Sequence, residues 1–254
     1  MYNNIFDTHA HYDDSRFDED RDELLTSLKE KGVSHIVNCG CDLKSSLTTV
    51  ALSDKYDFIY AAVGVHAHEA EETRESDLIE IEKLHTNRNV VAVGEIGLDY
   101  HYDFSPRDRQ IEVFERQLIL ANKLDLPVIV HDREAHEDTM NLLKKHKPKG
   151  VVHCFSGSAE MAKEIVKLGM YIGIGGAVTF KNAKKPVEVV EYLPLNRLLL
   201  ETDAPYMTPV PFRGQRCDSS HIAYTAEKIA EIKGIEVQEL INICNENAKR
   251  LFGI

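Results

Sequence analysis

Eight short runs rich in Val, Ile and Leu punctuate the chain, and the stretches between them are amphipathic. The runs are NIFDTH at 4–9, SHIVNC at 34–39, FIYAAVGV at 58–65, NVVAVGE at 89–95, LPVIVH at 126–131, GVVHCF at 150–155, MYIGIG at 170–175 and RLLLET at 197–202. Strand-length apolar runs alternating with helical patterns are what repeated βα units around a parallel sheet require. Eight such units in 254 residues favour a closed (β/α)8 TIM barrel over an open doubly wound sheet. No linker, low-complexity tract or internal repeat interrupts them, so a single domain over 1–254 is expected.

Two intervening segments carry explicit helix signals. In SPRDRQIEVFERQLILANKLDLP, Ser105 reads as the N-cap, Pro106 as the first helical residue and Asp108 as a first-turn acid. Ile111, Phe114, Leu118 and Ala121 then fall on one stripe. In SAEMAKEIVKLG the helix starts at Ser158, buries Met161, Ile165 and Leu168, and stops at Gly169. The conspicuous long loop is DAPYMTPVPFRGQRCDSS, after the eighth run.

Composition matters mainly for what it excludes. Hydrophobic residues make up 43% and charged residues 28%, which excludes disorder and fibrous repeats. No apolar stretch approaches the ~20 residues of a membrane span, and no secretory leader pattern opens the chain. Cys39, Cys41, Cys154, Cys217 and Cys244 are scattered without CxxC spacing, which argues against a disulfide framework or thiolate zinc site and for a reducing cytoplasm. A net charge of −12 disfavours wholesale electrostatic attraction to nucleic acid, so an anionic substrate must be held locally.

An ionisable side chain at the end of a strand buried on both faces is costly unless it is paired or bound to metal. Here it recurs: His9 and His11 close strand one, Glu95 strand four, His131 strand five, His153 strand six and Asp203 strand eight. All belong to the C-terminal rim, where barrel enzymes build their sites. His9 and His11, two apart on a strand, project to one side and can hold one ion together. Four imidazoles and two carboxylates suffice for two divalent ions if Glu95 bridges them. His66, in GVHAHEA after strand three, is a candidate for substrate contact or proton transfer, as is His68; His101 could line the cleft. Asp7 is a candidate support for the histidine pair.

FDTHAH at 6–11, VGEIGLDY at 93–100, VIVHDR at 128–133, HCFSGS at 153–158 and ETDAPY at 201–206 resemble the signature segments of the TatD family of metal-dependent DNases, in the family's order. The resemblance implies a hydrolase of the amidohydrolase superfamily with two divalent ions and 3′-to-5′ exonuclease or related DNase activity. It implies His9, His11, Glu95 and Asp203 on the first ion, and Glu95, His131 and His153 on the second. It also offers Arg133, and Arg213 of PFRG, as phosphate contacts. The chain departs from the family pattern at Ala67, where proline is usual, and at Cys217 and Asp218, where Asn and Glu are frequent.

Phosphodiester hydrolysis benefits from ions that lower the pKa of bound water and stabilise charge on the attacking and leaving oxygens. Glu95 and Asp203 are the expected catalytic carboxylates, with Asp203 accepting the proton of the attacking water. The expected cofactors are two divalent ions, Mg²⁺ or Mn²⁺ in activity, while mixed nitrogen and oxygen ligands also suit Zn²⁺, Fe²⁺ or Ni²⁺ in isolated protein. The expected partner is DNA, single-stranded or at 3′ ends, with no membrane and no obligate protein partner. The alternative is a hydrolase of a small amide, lactone or phosphoester on the same barrel. Related binuclear hydrolases often bridge with a carbamylated lysine from strand four, and Glu95 in that place favours the DNase reading.

Overall fold

Burial on both faces decides where the strands lie: all six residues of β1 (Ile5–Ala10) and all ten of β4 (Val90–Asp99) are buried. With β2 (Val33–Cys39), β3 (Ile59–Val63), β5 (Val128–Arg133), β6 (Gly150–Val152), β7 (Tyr171–Ile174) and β8 (Leu198–Leu200), they form one parallel sheet in chain order. The structure, a computed structural model, describes residues 2–254. The sheet closes at its ends: Ala10 bridges Ala204 in parallel, His11 N donates to Ala204 O at 2.7 Å, and Asp203 N donates to His9 O at 3.0 Å. The result is the (β/α)8 barrel expected from the eight runs.

Helices α1 (Arg21–Glu30), α2 (Leu43–Lys55), α3 (Glu75–Leu84), α4 (Arg107–Leu124), α5 (His136–His146), α6 (Ala159–Lys167), α7 (Lys184–Tyr192) and α8 (Ile222–Lys233) follow the strands one by one. A further helix, α9 (Val237–Phe252), packs across the bottom, where Asn247 Nδ2 donates to the carbonyls of Leu195 and Leu198 and Asn245 Nδ2 donates to Asn4 O. No helix is long and apolar enough to cross a membrane among the described residues.

Several boundaries differ from the sequence reading, each for a physical reason. β4 runs four residues past Glu95, because pairing with β5 continues through Gly97↔His131 and Asp99↔Arg133. Glu95 therefore sits inside the barrel rather than at a strand end. β6 and β8 stop early, leaving His153 one residue and Asp203 three residues beyond their strands. Ser105 is not the cap of α4: the helix begins after Pro106, whose ψ of 137° is extended. The Ser105 hydroxyl is taken by tertiary bonds, donating to His68 O and accepting from Glu71 N, both at 2.9 Å. In α6, Ser158 does cap, accepting from Met161 N, and Ile165 is fully buried, but Met161 and Leu168 are only partly so.

Candidate metal centre

The C-terminal mouth brings together the six side chains singled out from the sequence. His9, in β1, and His11, one residue past its end, turn their Nε2 atoms toward each other, and Ala10 between them is fully buried. Their Nε2 atoms stand 3.0 Å apart, each 3.4 Å from Glu95 Oε2 and 3.6 and 3.5 Å from Asp203 Oδ1. Donors about 2.1 Å from a four-coordinate ion stand about 3.4 Å from one another, so this spacing fits a metal. On the other side, Glu95 Oε1 lies 2.7 Å from His153 Nε2 and 3.0 Å from His131 Nδ1, which are 3.2 Å apart. The two oxygens of one carboxylate thus face two separate imidazole pairs.

Tautomers sharpen the fit. His11 Nδ1 lies 2.9 Å from Cys39 O, a carbonyl that can only accept, so Nδ1 carries a proton and Nε2 is the nitrogen turned toward His9 Nε2 and the carboxylates. His131 likewise turns Nε2 to Asp99 Oδ2 at 3.1 Å, leaving Nδ1 to face His153. Imidazole nitrogens and carboxylate oxygens converging at such distances suit a cation among them, and hydrogen bonding from the outer nitrogen is the usual support of a metal-bound imidazole. The donor chemistry therefore fits divalent cations.

The two carboxylates stay ionised in this cluster and set a negative field within it. Burial would raise Glu95, but His153, His66 and His9 hold its carboxyl well below the ordinary range. Asp203 is kept low against its burial by His11 and His9. Burial, reinforced by His153, pushes His9 down to about 4, leaving the imidazole neutral. Burial pulls His131 down as well, but Asp99 and Glu95 outweigh it and raise it to about 9. Asp203 adopts φ +64° and Cys154, next to His153, φ +42°, so left-handed residues follow two of the strands that feed the site. Such conformations in non-glycine residues gather at functional sites, where the surroundings must impose them.

A profile described as TatD related DNase matches residues 6–253. The chain belongs to the TatD-related DNase family. A metal-dependent hydrolase of Bacillus subtilis strain 168, YabD, is 47% identical over 98% of this chain and 99% of its own. A protein of Rahnella sp. strain Y9602 named 3′-5′ ssDNA/RNA exonuclease TatD is 34% identical over 98% of both chains. The crystal structure of the TatD homologue YjjV from Escherichia coli K12 superposes with a TM-score of 0.94 at 35% identity, covering 100% of both chains. This TatD-family chain is accordingly a metal-dependent hydrolase.

The remaining candidates stand in varied relation to this cluster. His66 is buried, with Nε2 3.5 Å from Glu95 Oε1, and belongs to the same cluster as His131. Arg133 is half-buried over the Tyr102 ring at 4.7 Å, and Arg213 is exposed over Phe180 at 4.1 Å. Neither arginine is among the carboxylate-paired cations of the described residues. His101 turns outward to Glu134 Oε1 at 2.9 Å and does not join the cluster. Asp7 is fully buried and accepts from Thr202 N, Thr202 Oγ1 and Ser219 Oγ, which fixes the β1–β8 seam beneath His9 and Asp203; burial raises it to about 6.

Three residues escaped sequence reasoning. Asp99 supports His131 and His68, and its spacing of four from Glu95 along one strand was a usable signal for a shared face. Glu201 lies beneath the site, its Oε1 accepting from Cys154 N and its Oε2 buried without a partner; burial raises it to about 8. Cys41 places Sγ 3.8 Å from Glu95 Oε2 and 3.9 Å from His11 Nδ1, inside a group that could hold an ion. Burial pushes its thiol up to about 12, so it is neutral there.

Proposed function

We propose that the chain is a 3′-to-5′ exonuclease that hydrolyses phosphodiester bonds of DNA, acting as one domain over residues 1–254 with two divalent ions bridged by Glu95. His9, His11, Glu95 and Asp203 would hold the first ion, and Glu95, His131 and His153 the second. The observation that carries this reading is the division of Glu95, whose Oε2 faces the His9–His11 pair and whose Oε1 faces His131 and His153.

When bound, the ions supply Lewis acidity to the phosphate and a lowered pKa for water. The chain supplies the rest. Asp203, held ionised among imidazoles, accepts the proton of the attacking water. Arg133 and Arg213, free of carboxylate partners among the described residues, take nonbridging phosphate oxygens, as a guanidinium fork does well. His66 orients the substrate phosphate from beside Glu95.

Single-stranded oligonucleotides labelled at the 3′ or the 5′ end, incubated with Mg²⁺ or Mn²⁺, test the reading. The 5′-labelled strand should shorten stepwise while the 3′ label leaves as a mononucleotide. Asp203→Asn should slow this by about 100-fold or more. Intact oligonucleotides beside turnover of a lactone or dipeptide would overturn it in favour of a small-substrate hydrolase. Metal analysis of isolated protein should find about two ions per chain, with Zn²⁺, Fe²⁺ or Ni²⁺ able to stand in for the working metal.

A further inference from the structure

Two large rings sit in water at the barrel mouth. Tyr102 and Phe104, on the loop between β4 and α4, are 47% and 66% exposed. They stack on each other with centroids 5.3 Å apart and planes 22° from parallel. The loop that carries them is fixed: Asp99 Oδ1 accepts from His101 N and Tyr102 N at 3.0 and 2.9 Å, and Gln110 Nε2 donates to Ser105 O at 2.8 Å. Two exposed apolar rings held in place, rather than folded inward, are prepared for a ligand at little ordering cost.

The pair is continuous with the metal centre. His68 meets both rings edge-on, at 5.5 Å from Tyr102 and 4.8 Å from Phe104. Its Nε2 bonds Asp99 Oδ2 at 2.9 Å, the same oxygen that His131 faces. Charge is arranged to suit an anion beside an apolar plane. Arg133 lies over Tyr102 without a carboxylate partner, while the neighbouring carboxylates are engaged, Asp103 by Arg107 and Glu134 by His101.

We propose that Tyr102 and Phe104 form a stacking subsite for an unpaired nucleobase of the substrate strand, with Arg133 holding the phosphate beside it. This rests on the nuclease reading above. Base–aromatic stacking is sequence-tolerant and owes little to net charge, so it supplies affinity that a chain of net charge −12 cannot draw from long-range attraction. A base within a duplex is already stacked and paired, so the subsite selects single strands or frayed ends.

Steady-state kinetics of the metal-loaded enzyme on a single-stranded oligonucleotide, and on the same strand made abasic near its termini, test the subsite. Phe104→Ala should raise KM about tenfold on the base-bearing strand with kcat within about twofold, and Phe104→Tyr should restore it. On the abasic strand wild type and Phe104→Ala should have the same KM. A 2-aminopurine strand with phosphorothioate linkages should be quenched on binding wild type and less so on binding Phe104→Ala. Unchanged KM on the base-bearing strand, or an equal loss on both strands, overturns the subsite while leaving the nuclease standing. A wild-type enzyme that cleaves no oligonucleotide overturns the nuclease reading itself.

Discussion

Asp99 divides one carboxylate among four donors, two imidazoles at Oδ2 and two backbone amides at Oδ1. Burial would raise its carboxyl, yet His131, Tyr102 N and His68 hold it far below the usual range. Asp99→Asn keeps the shape but removes the charge that fixes the His131 tautomer, and should weaken binding of Mn²⁺ or Zn²⁺ by about 10- to 100-fold in calorimetric titration of stripped protein. Unchanged affinity would mean that His131 is not held as a ligand. His136 offers a test away from the site. Its hydrogen bond to Asp132 Oδ2 at 2.7 Å raises it above its ordinary value, against opposition from burial and Lys185 and with help from Glu134. A histidine raised on folding stabilises fully below its unfolded pKa of about 6.5, and that stability is lost as pH climbs through the folded value. The side chain is 40% exposed, so screening keeps the effect under about 1 kcal/mol. Wild type should exceed His136→Ala in melting temperature by more at pH 6 than at pH 9; a gap that widens with pH would contradict the raised value.

At the level of elements, β4 controls the site because it carries Glu95 and Asp99 and rises above its neighbours. Gly97 lies between them at φ +148°, paired with His131, and a methyl group there would meet the His131 carbonyl at 1.9 Å. Gly97→Ala should therefore push β4 from β5, cost about 3 kcal/mol in chemical denaturation and separate Glu95 from His131. A variant as stable as wild type would show that the β4–β5 contact can relax. Strand existence was legible from apolar runs, but β4's extra length was not, since IGLD after Glu95 mixes glycine and charge with apolar residues and its pairing partner lies more than thirty residues on. The cap of α4 was misplaced for a related reason: Ser105 has the right chemistry for a cap, and tertiary bonds to His68 and Glu71 took its hydroxyl instead.

For the whole molecule, the balance of charge sets how a nucleic acid can bind. With 30 Lys and Arg against 42 Asp and Glu, the chain has no net attraction for phosphate to draw on, and Arg133 and Arg213 at the mouth are the candidates for local contact. Release of counterions from two or three phosphates of a single strand gives a log–log salt slope of only about −1.4 to −2.1. Measured binding across a salt series should fall in that shallow range; a slope several units steeper would reveal a basic track that these arginines do not explain.

Taken alone, the chain determined its class of fold and the types of its candidate ligands, because eight strand-length apolar runs with ionisable residues in or just past them are local facts with few physical solutions. It also carried the segments by which the family is recognised. Only the tertiary structure decided that Glu95 lies within β4 with its two oxygens facing different histidine pairs, that His66 and Cys41 reach the same carboxylate, and that His101 turns away. Those outcomes depend on barrel closure and strand register, which bring residues from distant parts of the chain within a few ångströms and which no local pattern specifies.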